Sequence, residues 1–382
     1  MNPLPGTHLG LYVHLPFCPR RCPYCDFYAT PYRRSQARRL LPALLDHLPR
    51  LAPLAAGRRL GSVYLGGGTP SMLPARAIAR LLEAAHRHLG IAGGAEITLE
   101  ANPGTVSPAK LRAWRAAGVN RLSLGVQSFH PRLLAVLRRG HGAAEVRRAV
   151  AAARRAGFDN LNLDLIYGLP GQDRPRWQKD LAAALALAPE HLSLYELTLA
   201  PHTPFGRRYH KGRPPLPGED EILAMEDEAL EALAAAGLTR YEVSNFARPG
   251  RTCRHNRNTW RGGDYLALGP GAHGHLAGRR WAWVAAVEDY CRAVEAGSEP
   301  HAFCEELAPR QRALELVMLG LRTCEGVELA AVERLLGRDP RAHWRGALER
   351  LQERGWARLE QGRLVPTPLG LRMADAAAVL FA

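Results

Sequence analysis

The stretch HLPFCPRRCPYCDFY, His14 to Tyr28, sets Cys18, Cys22 and Cys25 within eight residues in the spacing C-x3-C-x2-C. Three close-set thiolates are an incomplete ligand set for a four-iron cube, so one iron would stay open to a small molecule or substrate. A closed structural zinc site wants four ligands, and the other nearby candidates, His8 and His14, precede the triad at irregular intervals. A thioredoxin-like dithiol at Cys22 and Cys25 needs no third cysteine and opens a helix, whereas Pro19 and Pro23 favour a loop. The open cluster is therefore the leading reading.

Working outward from that loop, residues 9 to about 200 alternate short apolar strands with helical stretches, the pattern of a parallel sheet with crossover helices. Strands are expected at Leu11–His14, Ser62–Leu65, Glu96–Glu100, Arg121–Gly125, Asn160–Ile166 and Leu192–Leu197. The expected fold is α/β, a partial parallel (β/α)6 TIM-like barrel with a small C-terminal winged-helix-like domain. Chemistry in such barrels collects at the C-terminal ends of the strands. There the cysteines follow the first strand, Gly66-Gly67-Gly68-Thr69 the second, Glu100 and Asn102 end the third, and Gln127 follows the fourth. On the fifth, Asn160, Asn162 and Asp164 alternate with Leu161, Leu163 and Leu165. A period of two gives one polar and one apolar face, and a lumen that tolerates Asp164 is expected to hold a polar ligand.

Three segments follow from the punctuation: the barrel over 1–200, a linking region over 201–308 and the C-terminal domain over 309–382. The second opens with the Pro- and Gly-rich run HTPFGRRYHKGRPPLPGED, continues as a helix over 219–236, and contains YEVSNFARPGRTCRHNRNTWRGGDYLALGPGAHG, which reads as a functional loop. The third reads as helices at Arg310–Arg322, Leu329–Leu336 and His343–Arg354, then strands at Trp356–Leu359 and Arg363–Pro366.

Of the 382 residues 47% are hydrophobic and 23% charged, as expected of a soluble globular protein, and no apolar run approaches the roughly 18 residues of a spanning helix. The N-terminus lacks a secretory pattern, and seven cysteines with three crowded together do not form a disulfide framework, so the expected location is cytoplasmic. Peripheral contact with the inner face of a membrane stays open. Formal net charge is +15, but only three of 51 basic residues are lysines. Residues 1–60 carry a net of +7, best read as a solvated helix face and otherwise as a site for an anionic partner. The segment 309–382 carries only +3, which speaks against a nucleic-acid-binding regulator and for a packing or partner-binding module.

The cysteine spacing, with aromatic Tyr24 before the last member, resembles the radical S-adenosylmethionine superfamily, and GGGTP at 66–70 resembles its second signature. That likeness implies a [4Fe–4S] cluster on Cys18, Cys22 and Cys25. It also implies S-adenosylmethionine chelated to the open iron, whose reductive cleavage yields a 5′-deoxyadenosyl radical. With LEANP, SLGVQSF, Arg139 and NLDLIYGLPGQ, the chain from Leu11 to Gly274 resembles the oxygen-independent coproporphyrinogen III oxidase-like group. The resemblance implies that Tyr12, Tyr24, Gly67, Gly68, Thr69, Glu100, Gln127, Arg139 and Asp164 bind S-adenosylmethionine.

Within the group, the dehydrogenase carries a further cysteine where this chain has Phe27, and a longer extension before its cluster motif than the eleven residues preceding Tyr12. Both departures favour the haem-chaperone branch. This implies haem as cargo, delivered to acceptor haemoproteins such as membrane-bound respiratory enzymes, with dimerisation open and no nucleic acid. The alternative is a coproporphyrinogen III dehydrogenase. In that branch an HNxxYW motif supplies a histidine linked to haem binding, and His255-Asn256-Arg257-Asn258-Thr259-Trp260 matches it except for Thr259. His255 is the expected haem ligand and Cys253 its rival.

Overall fold

Six short strands become neighbours because their apolar faces are buried against covering helices while the polar residues of the later strands turn to a shared lumen. The computed structural model describes residues 6–382. Its strands are β1 (Leu9–Leu15), β2 (Leu60–Gly67), β3 (Ile91–Ala101), β4 (Arg121–Gln127), β5 (Leu161–Tyr167) and β6 (His191–Glu196). They lie side by side in chain order, each parallel to the next. Helices cross back between them, and Ala75–Leu89 shows why they do. Its Ile78, Leu81, Leu82, Ala85 and Leu89 recur at three- and four-residue spacing and are buried, and Gly90 ends it at φ +67°. Each fully buried leucine or isoleucine on that face stabilises the packing by roughly 1.5–3 kcal/mol, and Leu81→Ala would remove about 2–5 kcal/mol.

The stretch 201–308 does more than link. Its strands β7 (Thr239–Arg240), β8 (Asn245–Ala247), β9 (Tyr265–Leu268), β10 (His273–Leu276), β11 (Arg279–Trp283) and β12 (His301–Glu306) extend both edges of the sheet. The order is β12-β11-β10-β9-β1-β2-β3-β4-β5-β6-β8-β7, twelve strands in an open sheet. β9 runs parallel to β1, while β8 pairs antiparallel with β6.

The segment expected to be an irregular loop is in part a helix, Arg254–Trp260, with Cys253, His255 and Asn258 buried. Local propensity conceals it, because histidine, asparagine and threonine are weak helix formers. Tertiary partners supply what the sequence lacks. The Glu96 carboxylate accepts from the backbone N–H of Arg254 at 3.0 Å and of His255 at 3.3 Å, satisfying donors that a helix start leaves open. Asn258 Oδ1 accepts from His8 N at 2.8 Å. Since Glu96 precedes the mouth-facing half of β3, this helix closes the N-terminal end of the barrel as a floor.

The C-terminal part has its own core around Val317, Val332, Leu351 and Leu364. Its order is helix Pro309–Gly320, β13 (Val327–Glu328), helix Leu329–Leu336, helices Pro340–His343 and Arg345–Glu353, then β14 (Ala357–Glu360) and β15 (Arg363–Pro366). The expected single helix over 343–354 is broken at Trp344. Ion pairs of Glu325 with Arg257 and Arg261, and of Arg372 with Glu226 at 2.9 Å, tie this part to the rest of the chain.

Candidate functional site

At the C-terminal ends of the strands the cysteine loop leaves β1 and stays irregular. Phe17–Cys18 pairs with Thr30–Pro31, Cys25 N donates to Cys22 O at 3.2 Å, and Phe205 N donates to Pro23 O at 2.9 Å. His202 contacts Asp26 at 2.6 Å. The loop borders a cavity of about 730 Å³ that runs down the lumen, and Cys18, Cys22 and Cys25 all line it.

Around the mouth, polar side chains form a belt joining two of the thiols. Cys18 Sγ lies 3.5 Å from Thr69 Oγ1, which accepts from Asn102 Nδ2 at 3.2 Å. Arg139 donates to Asn102 Oδ1, to the Gly125 carbonyl and, at 3.7 Å, to Cys22 Sγ. Next to the belt, Gly67 has φ +106°, and a Cβ there would fall 2.5 Å from the His14 ring. A Cβ on Gly68 would fall 2.6 Å from the Pro16 carbonyl carbon. Only glycine lets the strand end approach the cysteine loop so closely.

From the mouth inward, the period-two faces turn to the lumen as expected, with Gln127, Gly125 and Ser123 of β4 and Asp164 and Asn162 of β5 lining the cavity. Leu161, Leu163 and Leu165 are fully buried on the opposite face. Glu100 accepts from Tyr64 Oη at 2.8 Å and from Gly67 N at 3.1 Å. Asp164 accepts from Asn162 Nδ2 at 2.7 Å and from Ser123 Oγ at 3.2 Å. Burial pushes the Glu100 carboxyl up to about 7 and raises Asp164 as well, against the pull of those hydrogen bonds. The Cys18 and Cys25 thiols are raised, again by burial.

The cavity thus gathers Tyr24, Gly67, Gly68, Thr69, Glu100, Gln127, Arg139 and Asp164 with the three cysteines. Two expected residues lie elsewhere. Tyr12 is half-buried on β1, its Oη 3.0 Å from His14 Nδ1. His255 sits in the floor with Nδ1 3.0 Å from Ser62 Oγ, and burial lowers its imidazole to about 3, so it is neutral there. Cys253 is also in the floor, its Sγ 3.4 Å from Glu96 Oε1. Asn102 and Tyr64 are site residues that the sequence reading did not assign. The position of Asn102 at a strand end was a signal for it, whereas Tyr64 lies mid-strand in an apolar run and gave none.

Among the described residues no three His, Cys, Asp or Glu side chains converge on a point as a single ion requires. Three thiols spread around one opening suit the larger body of a cluster. Gln127 Oε1 and Arg139 Nε are buried without hydrogen-bond partners. Such orphaned groups beside a glycine cradle fit a bound polar molecule.

Comparison with known proteins places these features in context. Residues 12–183 match the radical SAM superfamily, and residues 307–373 match the HemN C-terminal domain. A relative from Mycobacterium tuberculosis, named haem chaperone HemW, is 38% identical over 98% of this chain and 95% of its own length. Haem chaperone HemW of Escherichia coli is 43% identical over 70% of each chain. The structure of the Escherichia coli coproporphyrinogen III oxidase HemN, described as a radical SAM enzyme, covers 99% of this chain and 91% of its own with a TM-score of 0.86. At 24% identity that likeness concerns the fold.

Proposed function

We propose that this chain, which belongs to the haem chaperone HemW family within the radical SAM superfamily, binds haem and delivers it to acceptor haemoproteins. The observation that carries the cofactor part is the convergence of Cys18, Cys22 and Cys25 on one cavity with the glycine cradle, Glu100 and Asp164. The thiolates would hold a [4Fe–4S] cluster, and when bound it and S-adenosylmethionine supply the superfamily's reductive cleavage chemistry.

The chain's own residues have separable tasks. Arg139, already on Cys22 and Asn102, brings a fixed cation to the mouth, suited to a carboxylate. Glu100 and Asp164 are acceptors for hydroxyl groups, Gly67 and Gly68 leave room for close backbone approach, and Tyr24 offers a ring beside Phe205. Tyr12 enters the proposal through its ring, 6.2 Å from that of Tyr64, which lines the cavity. His255 as haem ligand carries a condition: its imidazole meets an iron only when the Arg254–Trp260 helix leaves the floor.

Membrane-bound respiratory acceptors, a homodimer and a cytoplasmic location at the inner face of the membrane belong to the same proposal. No helix among the described residues is long and apolar enough to cross a membrane. The second reading is coproporphyrinogen III dehydrogenase, which rests on the motif resemblance of residues 11–274 and which the fold shared with HemN does not decide. Anaerobically reconstituted protein assayed side by side for haem binding and coproporphyrinogen turnover tests both. Haem binding without turnover is expected, and sustained multiple turnovers would replace the first reading with the second.

A further inference from the structure

Four side chains that the belt leaves unused stand at the outer rim of the cavity: Arg20, Arg21 and Phe27 on the cysteine loop, and Arg138 beside Arg139. All four are exposed, and Phe27 keeps 70% of its surface in solvent, an unusual place for an aromatic ring. Among the described residues none of the three guanidiniums has an ion pair or a side-chain hydrogen bond. The nearby acids are already occupied. Asp26 is 2.6 Å from His202, and Glu196 accepts from Lys211 at 3.0 Å. Arg138 also holds φ +54°, a conformation that costs a non-glycine residue about 1–2 kcal/mol and that recurs at ligand clamps.

An exposed ring among three guanidiniums that have no carboxylate partner among the described residues, Arg21 acting only through space on the Cys25 thiol, calls for a ligand with a flat apolar face and more than one carboxylate. An acidic peptide would use the cations and leave the ring idle. A haem uses both, because its macrocycle packs on an aromatic face and its two propionates match guanidinium forks. We propose that this rim is the haem-docking surface, with Phe27 against the macrocycle and Arg20, Arg21 and Arg138 engaging the propionates. The inference rests on the haem-chaperone reading and moves the first contact with haem from the floor to the mouth. It also gives a task to the position where the dehydrogenase group carries a cysteine.

The test is a spectroscopic titration of the full chain with ferric haem and with its dimethyl ester, which keeps the macrocycle and loses the propionate charge. It compares wild type, Phe27→Ala and the triple variant Arg20→Gln, Arg21→Gln, Arg138→Gln. All four residues are exposed, and the three arginine side chains are unpaired, so the fold does not depend on them. Wild type is expected to bind the ester at least about tenfold more weakly than haem, the triple variant to bind both alike, and Phe27→Ala to weaken both by a similar factor. Wild-type haem affinity in both variants overturns the rim, and equal affinity of wild type for haem and ester overturns the propionate contacts. No haem binding by wild type overturns the chaperone reading itself, a different failure from either.

Discussion

The two ends of one barrel put their polar side chains to different uses. At the floor Glu96 is held by two backbone amides and the Cys253 thiol, His255 by Ser62, and Tyr241 Oη by His191 Nε2 at 2.9 Å. At the mouth, among the described residues, Gln127 Oε1 and Arg139 Nε are buried without partners, and the exposed Arg20, Arg21 and Arg138 guanidiniums have no ion pair. The floor uses Glu96 and Ser62 to hold its helix, although Arg121 Nε and Asn160 Oδ1 at that end are also buried without partners among the described residues. What sets the mouth apart is its open cavity and the exposed guanidiniums around it. The lesson is that a histidine in a suggestive motif and a cysteine in a suggestive motif are told apart by what else satisfies them.

The largest expected effect tests the mouth. Cys22→Ala should abolish cluster binding after anaerobic reconstitution, read as iron and sulfide content. Retention of about four irons per chain would break the assignment of the triad. Next, Asp164→Ala should weaken S-adenosylmethionine binding about tenfold or more in isothermal titration, since a buried carboxylate acceptor is removed. Unchanged affinity with an intact circular dichroism spectrum would mean that the lumen's polar face serves another ligand.

Two smaller effects concern the floor. Glu96→Ala strands the amides of Arg254 and His255, so denaturant unfolding of the metal-free chain should show a loss of about 2–3 kcal/mol, with the cluster site retained. His255→Ala should leave the haem Soret band in place if the floor is structural. A changed band with an intact cluster would put haem in the floor and erase the contrast, and a change in Cys253→Ser alone would make the thiol the ligand.

The last effect is on pH. Burial raises Glu100 to about 7 in the folded chain from the ordinary value of 4.5, so between those values the unfolded chain binds fewer protons than the folded one. Stability should therefore fall as pH rises from about 4.5 to about 7, and Asp164, also raised, adds the same sign from lower pH. Glu100→Gln should flatten that slope in thermal melts of the metal-free chain.

Much of the barrel is legible in the order of its residues. The fourth strand was expected at Arg121–Gly125 and runs Arg121–Gln127, and the alternation of Asn162 and Asp164 with leucines correctly separated lumen from helix contacts. These features are local, because apolar runs and a period of two are set by neighbouring residues. The floor helix could not be read, since Glu96 lies more than 150 residues before it and nothing in RHNRNTW announces that partner. Asn102 shows the intermediate case: its strand-end position was visible, but its place between Thr69 and Arg139 was not.

The sequence by itself determined the identity and spacing of the three thiols, the glycine run that permits close approach, and the order of strands that puts both at one end of a sheet, because chain connectivity and side-chain periodicity are properties of a string of residues. Only the tertiary structure decided that His255 and Cys253 lie under the barrel and that Arg138 joins Arg20, Arg21 and Phe27 of the cysteine loop at its opening. Burial, orphaned donors and unpaired charge depend on which distant segments come together, and a carboxylate such as Glu96 can claim a helix start only once folding has brought the two into contact.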